Sequence, residues 1–304
     1  MWQVDKKRKG GFLMEYIINQ FVNGICQGFI YALMAVGYSV IVGVVGFVTF
    51  THGEVIVFGA FASFYIFLLC GNNLLLGVIG SFAASWLIGI FVYKICYERF
   101  FHAPRHIALI CTIGVSMLLK NIAQIIFGPN KKPMLNIIKN KIYSFGIVEI
   151  SKVQIVIILT VIILSALLFI IFMKTRWGIS LRAVSQDKTA AAMMGINVKQ
   201  TAMIGNCMGS GLAGVAGLLI AINYQTVYAT MGSNLSIKAF AAAVLGGLTS
   251  VPLAALGGIL IGIIENMGIT FTSASLRDIF TFVFLIIILI FKPQGFSKKK
   301  GVRP

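Results

Sequence analysis

Apolar residues run through this chain in long blocks separated by short polar stretches. Residues 16–37, 54–71, 74–97, 107–127, 153–173, 201–222 and 253–271 are blocks of this kind. A helix needs about 20 apolar residues to cross a bilayer, so each predicts a membrane span. Residues 276–291 add a last, shorter block that stops at Lys292-Pro293, where proline cannot continue a helix. Two more blocks, 38–50 and 237–249, are short and rich in glycine. Gly37, Gly43 and Gly46 interrupt the first, and the second ends at Gly246-Gly247 before a turn at Ser250-Val251-Pro252. The pattern predicts an all-α, polytopic membrane helical bundle of about ten segments. Its alternative is eight full spans plus re-entrant pieces at 38–52 and 237–252.

The two short blocks occupy similar places in the two halves of the chain. Five crossings per half would give the halves opposite orientation. Paired broken segments of this kind predict an inverted repeat with a solute pathway near the midplane.

One interruption differs from the rest. Residues 174–200 form a long, polar, helix-prone stretch that carries Lys174, Arg176, Arg182, Lys188 and Lys199. Basic loops are retained in the cytoplasm, so this stretch predicts a cytoplasmic docking handle for a soluble partner. The expected organisation is a basic N-terminus over 1–15, a membrane domain over 16–292 containing that loop, and a basic tail over 293–304, with both ends cytoplasmic. Alternation of crossings puts the polar loop 128–152 outside, despite its five lysines, together with the uncharged loop 223–236.

Composition agrees with a membrane protein. The 304 residues are 59% hydrophobic and 11% charged, where soluble domains carry about 25% charged residues. Mean hydropathy is +0.96. The net charge of +17 comes from clusters at Lys6–Lys9, in loops and at Lys298–Lys300. These read as topology anchors against anionic lipid, not as a nucleic-acid surface. Five cysteines, in or beside apolar runs and without a C-x-x-C pair, read as small core residues. No cleavable signal peptide is evident. Met14 is a candidate start, with residues 1–13 an upstream extension.

Small residues recur at helical spacing. Gly24, Gly28 and Ala32 form one row. Gly205, Gly209, Ala213, Gly217 and Ala221 form another. Such rows let helices approach closely. Residues 209–214 also spell G-x-G-x-x-G, but no strand precedes them and no acid between Asp187 and Glu265 is available to hold a ribose. The chain has no P-loop, no H-E-x-x-H and no catalytic triad pattern. It therefore predicts neither enzymatic chemistry nor a cofactor or metal of its own.

Polar residues inside apolar blocks are costly and mark pathways or interhelical contacts. Asn23 and Gln27 share a face of the first span. Thr112, Ser116, Lys120 and Asn121 form a stripe on the span at 107–127. Thr49-Phe50-Thr51-His52-Gly53-Glu54 either caps a helix starting near Val55 or lines a gate. Lys238 either snorkels to the interface, meets an anionic solute group, or pairs with Glu265 or Asp278.

Four ordered stretches resemble a known family. They are Gly28–Tyr38, Phe47–Glu54, Leu181–Asn197 and Lys238–Pro252 through Gly257-Gly258. Together they resemble the permease subunits of branched-chain amino-acid ABC importers, specifically the H-type member of an H and M pair. Thr49 and Thr51 depart from the family's usual Asn and Ala in N-F-A-H-G-[DE]. Thr189–Gly195 resembles the E-A-A-x-x-x-G coupling helix, with Thr189 in place of Glu.

The resemblance implies an importer subunit in a bacterial cell membrane. Its partners would be two ABC ATPase subunits, a second homologous permease and an extracytoplasmic substrate-binding protein, with ATP-Mg held by the ATPases. Arg182, Gln186, Asp187, Ala190, Ala191 and Gly195 would form the ATPase-coupling helix. Asn23, Gln27, Thr49, Thr51, His52, Glu54, Lys238, Gly246 and Gly247 would line the path or gate. The alternatives are urea or short amides as solute in the same family, or a proton-coupled secondary amino-acid carrier using Glu54, Glu265 and Asp278.

Overall fold

A single helix, α1 (Trp2–Val45), opens the chain and runs through the blocks expected as 16–37 and 38–50. No break falls at Gly37. A Cβ there would lie 2.7 Å from the Gly209 carbonyl oxygen, so this glycine permits a close helix approach. The helix stops instead at Gly46, whose φ of +91° suits glycine alone. The apolar part, Met14–Val45, spans 32 residues. At ~1.5 Å per residue it exceeds a ~30 Å hydrocarbon core, so α1 tilts or projects beyond it.

The computed structural model describes residues 2–100, 104–134, 137–138, 141–145, 148–273, 276–292 and 295, and of residues 2–13, 105 and 145 the backbone alone. The basic side chains at Lys6–Lys9 and the tail lysines Lys298–Lys300 lie outside what is described, as does the rest of the tail at 293–304 apart from Gly295. Residues 2–13 continue α1 and do not form a separate N-terminal segment.

After α1 come α2 (His52–Cys70), α3 (Leu74–Val92) with a π-helical extension at Tyr93–Glu98, and α4 (Arg105–Phe127). The expected loop 128–152 contains β1 (Lys132–Pro133) and a hairpin of β2 (Ile142–Phe145) and β3 (Val148–Ser151). Ser151 then starts α5 (Lys152–Lys174) through a reciprocal capping box with Gln154. Two short helices follow, α6 (Arg176–Gln186) and α7 (Lys188–Met193). They lead into α8 (Val198–Tyr224), β4 (Thr226–Val227), α9 (Met231–Gly246), α10 (Val251–Phe271) and α11 (Arg277–Phe291). β4 pairs antiparallel with β1. α9 starts six residues before 237, inside the stretch expected as an external loop, and Gly232 in its first turn packs against Gly53 of α2.

Seven helices are long and apolar enough to cross a membrane, and the 16-residue α9 and 15-residue α11 pack with them. Nine helices thus make the described bundle, where ten segments were expected. The difference is the merging of the first two blocks. α1 and α8 form its centre, with 89% of their apolar windows buried, against 17% in α4 and α5. The glycine rows explain the packing. Gly205 meets Leu181 and Val44, Gly209 meets Gly37, and Gly217 meets Ile56, while Ala213 is fully buried. The most extensive pair is α1 with α10, where Gly24 and Gly28 face Ile259–Ile263 and Gly258 faces Ala32.

The bundle has two distinct ends. At one, α5 begins beside the start of the span in α1: the Glu149 amide donates to Asn19, and Gln154 donates to Asn23 at 2.6 Å. At the other, α5 leads directly into α6, and Lys188 reaches the Val45 carbonyl. Residues 14–23 therefore lie at the end opposite the 174–200 segment. Both ends of the membrane part were expected on one side. The uninterrupted α1 removes one crossing and separates them. Of the cysteines, Cys26, Cys96 and Cys207 are buried, whereas Cys70 is exposed at the end of α2.

Candidate functional site

Five helices converge on a charged network inside the bundle. Lys238 of α9 is buried, and its ammonium donates to Glu265 at 2.8 Å, to Asp278 at 2.8 Å and to the Tyr31 hydroxyl at 3.2 Å. An ammonium has three donors, so these partners saturate it. Glu265 of α10 is fully buried and also faces Arg277 Nε at 3.2 Å and the Thr281 hydroxyl at 3.4 Å. Isolated charges in an apolar medium are strongly disfavoured, so mutual pairing of this kind is required to keep them there. Lys238 and Arg277 against Glu265 and Asp278 sum to no net charge.

Neutral groups extend the network. Gln27 donates to Tyr31 at 2.9 Å and to Tyr224 at 2.7 Å, and accepts from Asn223 at 3.1 Å. The Arg277 guanidinium donates through Nη1 to the Tyr224 hydroxyl and lies over its ring. Gln27 and Tyr31 meet each other because they are four residues apart on one face of α1.

A cavity of ≈ 320 Å³ lies against this network. Tyr31, Lys238, Arg277 and Asp278 form one wall, Ile220, Met231 and Leu235 another. Lys131, Thr226 and Tyr228 cover it from the β1–β4 ladder, at the end of the bundle away from α6 and α7.

The 46–54 segment makes a second polar cluster. From Gly46 the chain folds back along α1, and both the amide and carbonyl of Thr49 bond to the Tyr38 hydroxyl. Thr51 contacts the Tyr97 hydroxyl at 3.3 Å, and His52 Nε2 lies 3.2 Å from the Met34 carbonyl. α2 starts at His52, and Thr51 makes no side-chain cap. A Cβ on either Gly53 or Gly232 would collide with the other's carbonyl oxygen, so the starts of α2 and α9 touch inside the bundle. Glu54 is buried in the first turn of α2, where the helix dipole favours a negative group.

The segment after α5 is built from caps. Thr175 caps α6, Asp187 caps α7 through the Thr189 and Ala190 amides, and Asn197 caps α8. Ala191 is buried against the bundle. Gly195, at φ +81°, ends the helix with nothing near it, and Met193 and Met194 are each 82% exposed. Lys188 donates to the Val45 carbonyl at 2.6 Å, so the last turn of α1 is tied to α7. Arg182 turns to Met173 and not outward. Gln186 is exposed and lines a groove with Gly43, Gly46 and Phe47.

The structure therefore divides the residues expected to form one path. Gln27 and Lys238 share the charged network. Asn23 faces α5, and Thr49, Thr51 and His52 pack against Tyr38 and Tyr97. Gly246 packs on the 253–254 backbone and Gly247, at φ +91°, ends α9; neither lies with Lys238 at the cavity. On α4, Thr112 is buried, Lys120 half-buried and Asn121 exposed, so the expected polar stripe is only partly covered. Sequence reasoning missed Tyr31, Tyr224 and Arg277. The available signals were the Gln27–Tyr31 spacing and an Arg-Asp pair opening an apolar helix.

A many-pass helical bundle with charges paired in its interior fits the class of membrane transport permeases, where such residues mark solute pathways. Residues 20–289 match the family described as the permease component of the branched-chain amino acid transport system, and the chain belongs to that family. It is 31% identical over 292 residues to the high-affinity branched-chain amino acid transport system permease protein BraD of Pseudomonas aeruginosa, covering 92% of this chain and 95% of that one. The corresponding LivH protein of Escherichia coli is 31% identical over 293 residues, with the same coverage. A probable branched-chain amino acid permease, LivH of Methanocaldococcus jannaschii, is 27% identical over 285 residues and 87% of each chain. No solved structure matches the chain. These relatives do not favour the secondary carrier or the urea and amide permease.

Proposed function

We propose that this chain is a membrane-spanning permease subunit of an ABC importer for branched-chain amino acids. In this reading the 174–200 segment faces the cytoplasm, which places residues 14–23 and the two β-ladders on the extracytoplasmic side and Lys292 on the cytoplasmic side. The observation that carries it is the docking segment: α7 exposes Met193 and Met194 at the bundle end while Lys188 ties it to α1. A short helix that is apolar at its tip and anchored at its base suits insertion into a groove of an ATPase. A second permease of similar fold, two ATPases and an external binding protein complete the machine.

The test is purification of the tagged protein in mild detergent, followed by ATP-driven uptake of labelled L-leucine in liposomes supplied with the external binding protein. Co-purification of two ATPases and a second permease, with ATP-dependent uptake, is the expected result. A chain that stays alone after crosslinking and transports without ATP would overturn the reading.

A further inference from the structure

The cavity beside the charged network differs from an ordinary water-filled crevice in how its charges are committed. Lys238 uses its three donors on Glu265, Asp278 and Tyr31, and fully buried Glu265 is enclosed by Lys238, Arg277 and Thr281. Neither is available to a ligand. Two other groups are. Asp278 uses one carboxylate oxygen on Lys238, and its side chain is 42% exposed. Arg277 donates through Nη1 to Tyr224, and its Nε stands 3.2 Å from Glu265 Oε1 as an ion pair without a hydrogen bond. Among the described residues this leaves its Nη2 donors uncommitted, with the side chain 27% exposed. Both residues line the cavity, and Lys131 adds a second cation at its roof, over the Tyr228 ring.

Asp278 and the two cations Arg277 and Lys131 thus face one space whose apolar lining is Ile220, Met231 and Leu235, beside the polar Tyr224, Tyr228 and Asn234. Its ≈ 320 Å³ lies at the lower end of the ~300–1,000 Å³ typical of small-molecule sites. We infer that this cavity is a subsite for one zwitterionic α-amino acid with an aliphatic side chain. Asp278 takes the ammonium group, Arg277 and Lys131 take the carboxylate, and Ile220, Met231 and Leu235 receive the side chain. The internal Lys238–Glu265 pair acts as a fixed frame that aims Arg277 and Asp278 and binds no solute itself. Discrimination follows from the contact each analogue cannot make: an acid lacking the amino group gives nothing to the second Asp278 oxygen, and an amine lacking the carboxylate gives nothing to Arg277 Nη2. The inference rests on the importer reading, since it supplies that reading with a waystation inside this chain.

The test uses the assembled importer in liposomes without its binding protein, with Cys70→Ser to remove the exposed thiol. Asn234→Cys places a thiol at the cavity lining. Millimolar L-leucine is expected to slow labelling of this introduced thiol by a small methanethiosulfonate reagent at least threefold. The probes 4-methylpentanoate and leucinol, each lacking one charge, are expected to give less than half that protection. Asp278→Asn should abolish protection by leucine. Lys131→Met, on a roof residue whose loss leaves the Lys238–Glu265 pair intact, should weaken it severalfold. Leu235→Trp, which fills the apolar side, should remove protection by leucine while glycine still protects. Equal protection by leucine and 4-methylpentanoate would overturn the inference, as would full protection in both Asp278→Asn and Lys131→Met. If the wild-type complex, with the binding protein restored for uptake, took up no leucine yet leucine still protected the introduced thiol, the transport reading would fail and the subsite would stand. Uptake without protection would overturn the subsite and leave the transport reading in place.

Discussion

Lys238 Nζ and Glu265 Oε1 stand 2.8 Å apart, with Glu265 fully shielded from solvent and Lys238 only 6% exposed. The pair joins α9 to α10 across the interior, and its second acid, Asp278, brings in α11. With Tyr31 of α1, four helices thereby meet at one ammonium. Breaking such a pair leaves an uncompensated buried charge, which costs more than the pair contributes.

Lys238→Met is accordingly expected to destabilise the protein by ~3–5 kcal/mol. Lys238→Met combined with Glu265→Gln should recover part of that loss, because the orphaned carboxylate is gone. Thermal midpoints in detergent for the two variants check this. A single mutant as stable as the wild type would show that the pair contributes nothing.

Small residues at the α1–α10 contact predict a graded packing series. A Cβ at Gly28 would lie 2.7 Å from the Ile259 carbonyl oxygen, so Gly28→Leu should cost at least ~1–3 kcal/mol through overpacking. Gly114 on α4 has nothing within 4 Å, so Gly114→Leu should change stability by less than ~0.5 kcal/mol or raise it. Expression level and thermal midpoint in the same detergent separate the two.

Lys188 is expected to couple nucleotide hydrolysis to transport. Lys188→Met removes the bond to the Val45 carbonyl but leaves the exposed tip of α7 intact. ATPase activity of the complex should persist while uptake per ATP falls severalfold. Met193→Asp should instead weaken ATPase binding in a pull-down. If Lys188→Met leaves uptake per ATP unchanged, the tie to α1 transmits no motion.

Asp187 caps α7 through two amides, at 2.8 Å to Thr189 and 3.0 Å to Ala190. Asp187→Ala should loosen α7 by ~1 kcal/mol, and Asp187→Asn should restore most of it, since Asn caps equally well. Protease susceptibility of the 187–195 segment reads the difference directly.

Much of the architecture was legible in the chain itself. The length of each apolar block determined where most helices run, because lipid leaves a backbone no other way to satisfy its hydrogen bonds. The row Gly205, Gly209 and Gly217 marked a close-packing face, and Gly195 marked the end of α7, since both depend on local spacing and backbone freedom. The family resemblance was equally readable from four ordered stretches.

Tertiary structure alone decided the rest. Glycine signals a helix break and a close helix contact with the same letter, so only Gly209 lying against Gly37 within an unbroken α1 decides between them, and only Asn19 and Asn23 meeting the start of α5 put the apolar start of α1 at the end opposite α7. The site was ambiguous for a related reason. A lone lysine in an apolar run can snorkel, bind or pair, and the choice rests on residues 27 and 40 positions away. Glu265 and Asp278 meet Lys238 because α9, α10 and α11 pack together, and no local pattern encodes that meeting. Long-range electrostatic pairing, not helix formation, is what the fold adds to the sequence here.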